Sequence, residues 1–217
     1  MEVWYCGKDN ISRYRLLMNN DWSDGFVKLA HAQGYDQFQH KRPGYSPSAL
    51  LFEGYEVNHP YLIPSIAKPR WPKTARKRNP AFMWVASTLF VIDEVRDFFE
   101  TVEPGTHQFF PMKIQFPDGT ESPVNYNLMN IHTQIDALDR SQSTAKIYRP
   151  EQENWAWSWG VPRSCVFKES AVKGRYLWRE KRSLNKLFGS GELVEEMRKR
   201  KCAGLDPVGP CVVNPNS

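Results

Sequence analysis

The stretch FVIDEVRDFFETVEPGTHQFFPMKI, residues 90–114, decides the fold class because two kinds of periodicity follow one another in it. Its first half predicts an amphipathic helix, since apolar residues recur there at helical spacing: Val91, Val95, Phe98, Phe99 and Val102. Asp93 is the predicted N-cap of this helix, and EPG at residues 103–105 is its predicted stop. Apolar positions alternate over residues 107–116, which predicts a strand directly after the helix.

The flanking sequence adds further short elements. PDG at residues 117–119 predicts a turn, and residues 124–131 read as the returning strand of a hairpin. Short strands are also predicted over residues 1–6, near Ile147, and over residues 165–167 and 175–178. Ser190 is the predicted N-cap of a final helix, which has acidic residues early, basic residues late and Gly204 just past its end. Together these elements predict an α+β fold with a mostly antiparallel sheet and two or three packed helices.

The N-terminal part is dominated by turn signals. Seven prolines between residues 43 and 80 exclude a long helix or a central strand from that stretch. We therefore expect an irregular, proline-rich N-terminal subdomain over residues 1–80 and an α+β domain over residues 81–217.

Positive charge is concentrated in one short stretch. The chain has 217 residues, 29 of them basic and 24 acidic, for a formal net charge of +5. Residues 68–78, here called the basic strip, contain no acidic residue, and without the strip the basic and acidic residues nearly balance. The strip holds Trp71 and six cations: Lys68, Arg70, Lys73, Arg76, Lys77 and Arg78. Three interpretations stay open: a solvated loop, a docking site for an acidic protein surface, or a nucleic-acid contact in which Trp71 stacks on a base.

Several classes of protein are not supported by the sequence. No apolar run approaches the roughly 20 residues that cross a bilayer, and the N-terminus has no secretory signal pattern, so we expect a cytoplasmic protein. The four cysteines show no zinc-binding spacing, and we expect reduced packing thiols with neither metal nor cofactor.

Catalytic patterns are equally sparse. The sequence contains no nucleophile elbow, no P-loop and no dinucleotide-binding glycine motif. His132, Asp136 and Asp139 are the best acid/base candidates, since the two aspartates would share a face if this segment were helical. Ordinary capping and solvation explain these residues equally well, so the sequence predicts a protein that is not an enzyme.

Three tryptophans occupy alternate positions at Trp155, Trp157 and Trp159, as one face of a strand would. This tryptophan triplet is either part of the core or, where exposed, an aromatic contact surface of the kind that dominates protein interfaces. The accessible area of the three rings separates the two interpretations.

From about residue 90 to residue 213 the order of motifs resembles an immunity-protein family of bacterial polymorphic-toxin systems. The resemblance is carried by residues 90–114, by YNLMNIHTQIDALD at 126–139, by SAVKGRYLWR at 170–179 and by LFGSGELVEEMRKRKCAGLDPV at 187–208. MEVWY at the start is similar to the family's opening strand, whereas the basic strip lies outside the resemblance. The resemblance implies no catalytic residues; it implies a protein that binds and neutralises a toxin made by the same cell.

Three functional hypotheses follow. The first is an immunity protein that forms a complex with a cognate toxin encoded by an adjacent gene. The alternatives are an enzyme that reverses a toxin's modification through His132, Asp136 and Asp139, and a nucleic-acid-binding accessory protein that uses the basic strip. For the first, the predicted contact residues are those of the basic strip and the tryptophan triplet: Lys68, Arg70, Trp71, Lys73, Arg76, Lys77, Arg78, Trp155, Trp157 and Trp159.

Overall fold

The structure is a computed structural model and is described here for residues 1–6, 17–18, 28–29, 32, 54–70, 79–85, 88–116, 118–143, 165–181, 183–205 and 207–216. The chain divides into two compact units. The terminal unit comprises Met1–Ser12 and Ile131–Ser217, and the central unit comprises Arg13–Asn130. The chain therefore leaves the terminal unit near its beginning and returns to it for its second half.

The central unit is built on a mixed sheet. Its strands in chain order are β2 (Leu17–Met18), β3 (Ile66–Ala67), β4 (Pro69–Arg70), β5 (Phe82–Val85), β6 (Thr88–Ile92), β7 (Gln108–Ile114) and β8 (Tyr126–Asn130). Five of them form a sheet in the order β3-β7-β8-β6-β5, in which β3 runs parallel to β7 and the other neighbours are antiparallel. β2 and β4 form a separate antiparallel pair.

Helix α1 (Asp93–Val102) connects β6 to β7 and confirms the helix predicted within residues 90–114, except that Val91 of the predicted apolar stripe lies in β6. Val95, Phe98 and Phe99 are its buried residues, as the helical spacing predicts. The helix ends at its C-cap Glu103, and Gly105 adopts a left-handed conformation at φ +66°, so EPG acts as the predicted stop.

The predicted capping role of Asp93 is wrong. Ile92 is the N-cap and provides no side-chain cap, while Asp93 is the first residue of α1. Its carboxylate accepts hydrogen bonds from Asn127 at 2.8 Å and Asn125 at 3.2 Å, and lies 2.8 Å from the Arg96 guanidinium. The Asn127 bond, chiefly, holds the pKa of Asp93 below its ordinary value. Asp93 therefore ties the start of α1 to β8 instead of capping its own helix.

The hairpin predicted after α1 is present. β7 and β8 pair in antiparallel register, with Phe110 opposite Leu128. Met112 and Ile114 are buried in β7 and Phe116 is buried just beyond it, on alternate positions as expected. Gly119 takes a φ of +85° in the turn, which explains why a glycine stands there.

The terminal unit contains a second mixed sheet. Its strands are β1 (Val3–Tyr5), β9 (Gln134–Ile135), β10 (Val166–Lys168), β11 (Leu177–Glu180), β12 (Ser183–Ser190) and β13 (Val208–Asn214). They are arranged in the order β10-β13-β1-β12-β11-β9. β10 is parallel to β13 and β9 is parallel to β11, while the inner pairs are antiparallel. The short helix α2 (Glu169–Val172) follows β10, and α3 (Gly191–Lys199) follows β12.

Helix α3 confirms the predicted N-cap and corrects the predicted end. Ser190 is the N-cap, and its hydroxyl accepts a hydrogen bond from the Leu193 N–H at 3.1 Å. At the other end Cys202 N–H bonds to Met197 C=O and Lys201 N–H bonds to Arg198 C=O, which is a Schellman motif. The left-handed position of that motif is Lys201, at φ +57°, and not Gly204.

Lys201→Gly is expected to raise the free energy of unfolding by about 1 kcal/mol, because glycine adopts the left-handed conformation without the steric cost that a Cβ carries. Chemical denaturation of both proteins measures the difference. Glu195→Gly, at an exposed position inside α3, is the matched control and is expected to cost about 1 kcal/mol. Loss of stability in both variants would contradict the assignment of Lys201.

The α+β class is therefore confirmed, with mixed sheets and, among the described residues, three α-helices. The predicted strands at residues 1–6, 165–167 and 175–178 correspond to β1, β10 and β11. The strand predicted near Ile147 lies outside the described residues. The irregular character of residues 1–80 stays a prediction.

Candidate partner-binding surface

Only the beginning of the basic strip falls within the described residues. Lys68 directly follows β3 and is exposed. Arg70 lies in β4, where its backbone is opposite Leu17. The remaining predicted contact residues lie outside the described part of the chain and stay predictions: Trp71, Lys73, Arg76, Lys77, Arg78, Trp155, Trp157 and Trp159.

The acid/base candidates are not arranged as the sequence suggests. Asp136 and Asp139 lie beyond β9 in a non-helical segment, so they share no helix face. Asp139 accepts hydrogen bonds from the Ser141 hydroxyl at 2.6 Å and from Asn214 at 3.0 Å. These bonds, that from Ser141 foremost, lower the pKa of Asp139. The bond with Asn214 thus connects the loop of Asp139 to β13. The carboxylate of Asp136 lies 3.6 Å from the Arg140 guanidinium.

The cysteines are free thiols, and three of the four are buried: Cys6, Cys165 and Cys211. Burial, with the nearby Cys211 adding to it, raises the pKa of the Cys6 thiol to about 12. Burial also raises the pKa of Cys211 to about 12, with Cys165 nearby. A thiol that stays protonated is a poor nucleophile, which favours a packing role for these buried side chains over a catalytic one.

The residues that the structure describes contain no group of three or more His, Cys, Asp or Glu side chains that could hold a metal ion. Within the same residues, no helix combines the length and apolar character needed to cross a membrane.

Two exposed apolar side chains lie outside the predicted contact residues, directly before the basic strip in the sequence. Among the described residues the large exposed hydrophobic side chains are Met1, Tyr61, Ile66 and Val212. Tyr61 is 75% exposed and Ile66 is 43% exposed, and both precede Lys68 in residues 59–68, here called segment 59–68. An exposed aromatic ring leaves a wide apolar area available for contact.

Segment 59–68 is fixed to the core of the central unit by its inward side chains. A 3-10 turn at Pro60–Leu62 opens it, with Leu62 N–H bonded to His59 C=O and Ile63 N–H bonded to Pro60 C=O. Ile63 and Ala67 are buried in the core cluster that also holds Ile114. Proline at the first position of the turn fixes its backbone angle, so the turn is preorganised.

Pairing with β7 sets which side chains of the segment face outward. Ser65 C=O and Ala67 C=O accept hydrogen bonds from the N–H groups of Lys113 and Gln115, each at 2.9 Å. Ile66 lies opposite Lys113 in this register. Because side chains alternate along a strand, Ala67 points inward while Ile66 and Lys68 point to solvent.

Described residues on either side of the basic strip contact the β7–β8 hairpin. At the first end, Ala67 lies opposite Ile114. Just beyond the other end, the Ser122 hydroxyl donates to Asn79 Oδ1 at 3.1 Å, and the Tyr126 hydroxyl donates to Pro80 C=O at 2.9 Å. The residues that precede and follow the strip therefore contact the same hairpin.

Residues 55–208, well over half of the chain, match the Immunity protein family (Imm11). This chain belongs to the Imm11 immunity protein family. The suspected membership in an immunity-protein family is confirmed. The matched region begins well before residue 90 and includes the basic strip, so the expectation that the strip lies outside the family region is wrong. A search among curated proteins found no match to the chain.

Sequence reasoning on this Imm11 protein missed Tyr61 and Ile66. The available signal was HPYLIPSIAK at residues 59–68, where prolines flank a tyrosine and a lysine ends the run. Turn residues around an aromatic side chain indicate a surface position. Only the register with β7 shows that Ile66 points outward.

Proposed function

We propose that this Imm11 protein binds a cognate polymorphic toxin and neutralises it by forming a protein–protein complex in the cytoplasm of the cell that makes both. Membership in an immunity protein family, over residues 55–208, is the observation that carries the proposal. The partner is expected to be encoded by an adjacent gene. Neutralisation through such a complex would serve competition between bacteria, since only the toxin-producing strain is protected.

Inhibition by binding, without catalysis, is the mechanism that we propose. The acid/base candidates offer little support for chemistry, because Asp139 is engaged by Ser141 and Asn214 and Asp136 lies beside Arg140. An inhibitor needs instead a rigid scaffold that presents aromatic anchors within a polar rim. The basic strip and the tryptophan triplet remain proposed contact residues of this kind.

Co-expression with the product of the adjacent gene tests the proposal. We expect the two proteins to co-purify as a 1:1 complex, and we expect cells that carry this chain to survive production of the toxin. The double variant His132→Gln/Asp136→Asn is expected to protect as well as the wild type. Loss of protection in that variant, with the complex intact, would favour an enzyme; failure of both co-purification and protection would refute the proposal.

A further inference from the structure

We propose that the surface formed by Tyr61, Ile66, Lys68 and Lys113, here called the Tyr61 surface, is where the toxin docks, and that it receives an acidic toxin face with an apolar recess. The proposal rests on the proposed function and adds the place and chemistry of contact to it. All four residues belong to the part of the chain that the structure describes.

Tyr61 supplies the anchor. Its side chain is 75% exposed, which is the largest exposure among the described large hydrophobic residues. Tyrosine is enriched among the few interface residues that carry most of the binding energy, because it buries a wide ring and still satisfies its hydroxyl. In the free protein this ring has most of its area left to bury.

The anchor is held in position before any partner arrives. The Tyr61 ring packs edge-to-face on His59 with centroids 5.7 Å apart, and its hydroxyl oxygen lies 3.2 Å from His59 Nδ1. The turn beneath it is hydrogen-bonded and is fixed by the buried Ile63. Binding therefore costs little additional side-chain and backbone entropy, which raises the affinity that a given contact area yields.

Ile66 in β3 and Lys113 in β7 form the second part of the proposed surface. They are directly opposite one another, and Ile66 is 43% exposed while the Lys113 side chain is 66% exposed. The side-chain stem of a lysine is apolar, so the pair forms a small apolar area with a cation at its edge.

Positive charge selects the partner. Lys68 points outward beyond Ile66 and makes no ion pair with the described residues. Lys113 Nζ lies 3.3 Å from Glu121, but both side chains are more than half exposed, and such surface pairs are weak and exchangeable. In the sequence, Lys68 is the first residue of the basic strip, which contains no acidic residue. An acidic toxin face complements this charge and would be steered toward it.

The four residues fit within a single contact area. Tyr61 and Ile66 are five residues apart, so their Cα atoms are separated by at most about 18 Å. Paired strands are about 4.8 Å apart, which places Lys113 next to Ile66. A standard interface covers about 800 Å² on each partner, equivalent to a disc about 32 Å across. The span of the four residues is therefore smaller than that of a standard interface.

The test measures affinity between the purified toxin from the adjacent gene and single variants of this chain. Tyr61→Ala is expected to weaken binding about 30-fold or more, the effect of losing an interface hot spot. Ile66→Ser is expected to weaken binding several-fold, and Lys68→Glu is expected to slow association and reduce its dependence on salt.

Matched controls are Val212→Ser and Lys173→Glu. Val212 is 50% exposed in β13, and Lys173 is exposed just after α2. Both control variants are expected to bind the toxin as the wild type does.

Each outcome decides a separate point. Thermal unfolding of every variant close to that of the wild type excludes misfolding as the cause of weak binding. A toxin that binds the wild type and all three surface variants equally well overturns the Tyr61 surface and leaves the proposed function standing. If the wild type neither binds nor protects, both proposals fail. Salt-sensitive binding of RNA or DNA that is lost in Lys68→Glu, with toxin binding unchanged, also overturns the Tyr61 surface and indicates a nucleic-acid partner.

Discussion

His107→Phe is expected to lower the free energy of unfolding by about 1–3 kcal/mol, the range for leaving a buried polar group, here the Glu103 side chain, without a neighbouring polar partner. His107 Nε2 lies 3.3 Å from Glu103 Oε2 just beyond the end of α1, and the two side chains are 0% and 4% exposed. The variant keeps a ring beside Phe99, whose centroid is 5.3 Å from that of His107, so the loss of stability reports mainly on the missing polar contact.

A second variant separates the polar contact from packing. His107→Phe/Glu103→Leu removes both polar partners and replaces them with apolar groups of similar size, so we expect most of the lost stability to return. Denaturant unfolding of the single and double variants measures this recovery. Glu100→Gln, an exposed acid on the same helix, is the control and is expected to change stability by less than about 0.5 kcal/mol. A double variant no more stable than His107→Phe would show that Glu103 is held chiefly by other groups.

Trp178→Ala is expected to destabilise the protein by about 3–5 kcal/mol, because it opens a large cavity in the terminal unit. Trp178 in β11 is fully buried, and its ring centroid lies 6.3 Å from that of Phe167 in β10 and 6.4 Å from that of Phe188 in β12. Phe167 and Phe188 are themselves 4.8 Å apart. One side chain therefore packs against aromatic rings from two other strands.

Trp178→Phe is the matched control for this prediction. It keeps an aromatic ring and removes an indole N–H that finds no hydrogen-bond acceptor among the described residues, so we expect less than half the loss of Trp178→Ala. Urea unfolding monitored by far-UV circular dichroism suits both variants, since other tryptophans complicate fluorescence. Equal losses in the two variants would show that the indole itself, and not the aromatic packing, stabilises the unit.

Elements encoded by local signals were predictable from the sequence. The spacing of Val95, Phe98 and Phe99 and the EPG stop specify α1, and Ser190 specifies the start of α3, because these features act within a few residues. Roles that depend on a distant partner were not predictable in this way. Asp93 bonds to Asn125 and Asn127 across the sheet, and Asp139 bonds to Asn214, so neither role could be deduced from neighbours in the chain.

The candidate surface was predictable only in part. The charge of the basic strip is visible in the sequence, and it led to Lys68. The prolines around Tyr61 were a signal for a surface position, whereas Ile66 looks like an ordinary core residue in a one-dimensional pattern, since isoleucine is often buried. Their exposure became evident once the turn at Pro60–Leu62 and the pairing of β3 with β7 were known.

The sequence by itself determined the α+β class, the bounds of the two longer helices to within a few residues, and the resemblance to an immunity-protein family. Tertiary structure alone decided that β1, at the start of the chain, pairs with β12 and β13, which come near the end of the chain. It also decided that residues 13–130 form a separate unit, which interrupts the terminal unit in the sequence. The physical reason is that periodicity reports which face of an element is apolar, whereas strand pairing depends on which distant surface covers that face. For the same reason, the exposed fractions of the side chains that form the Tyr61 surface became known only from the folded structure.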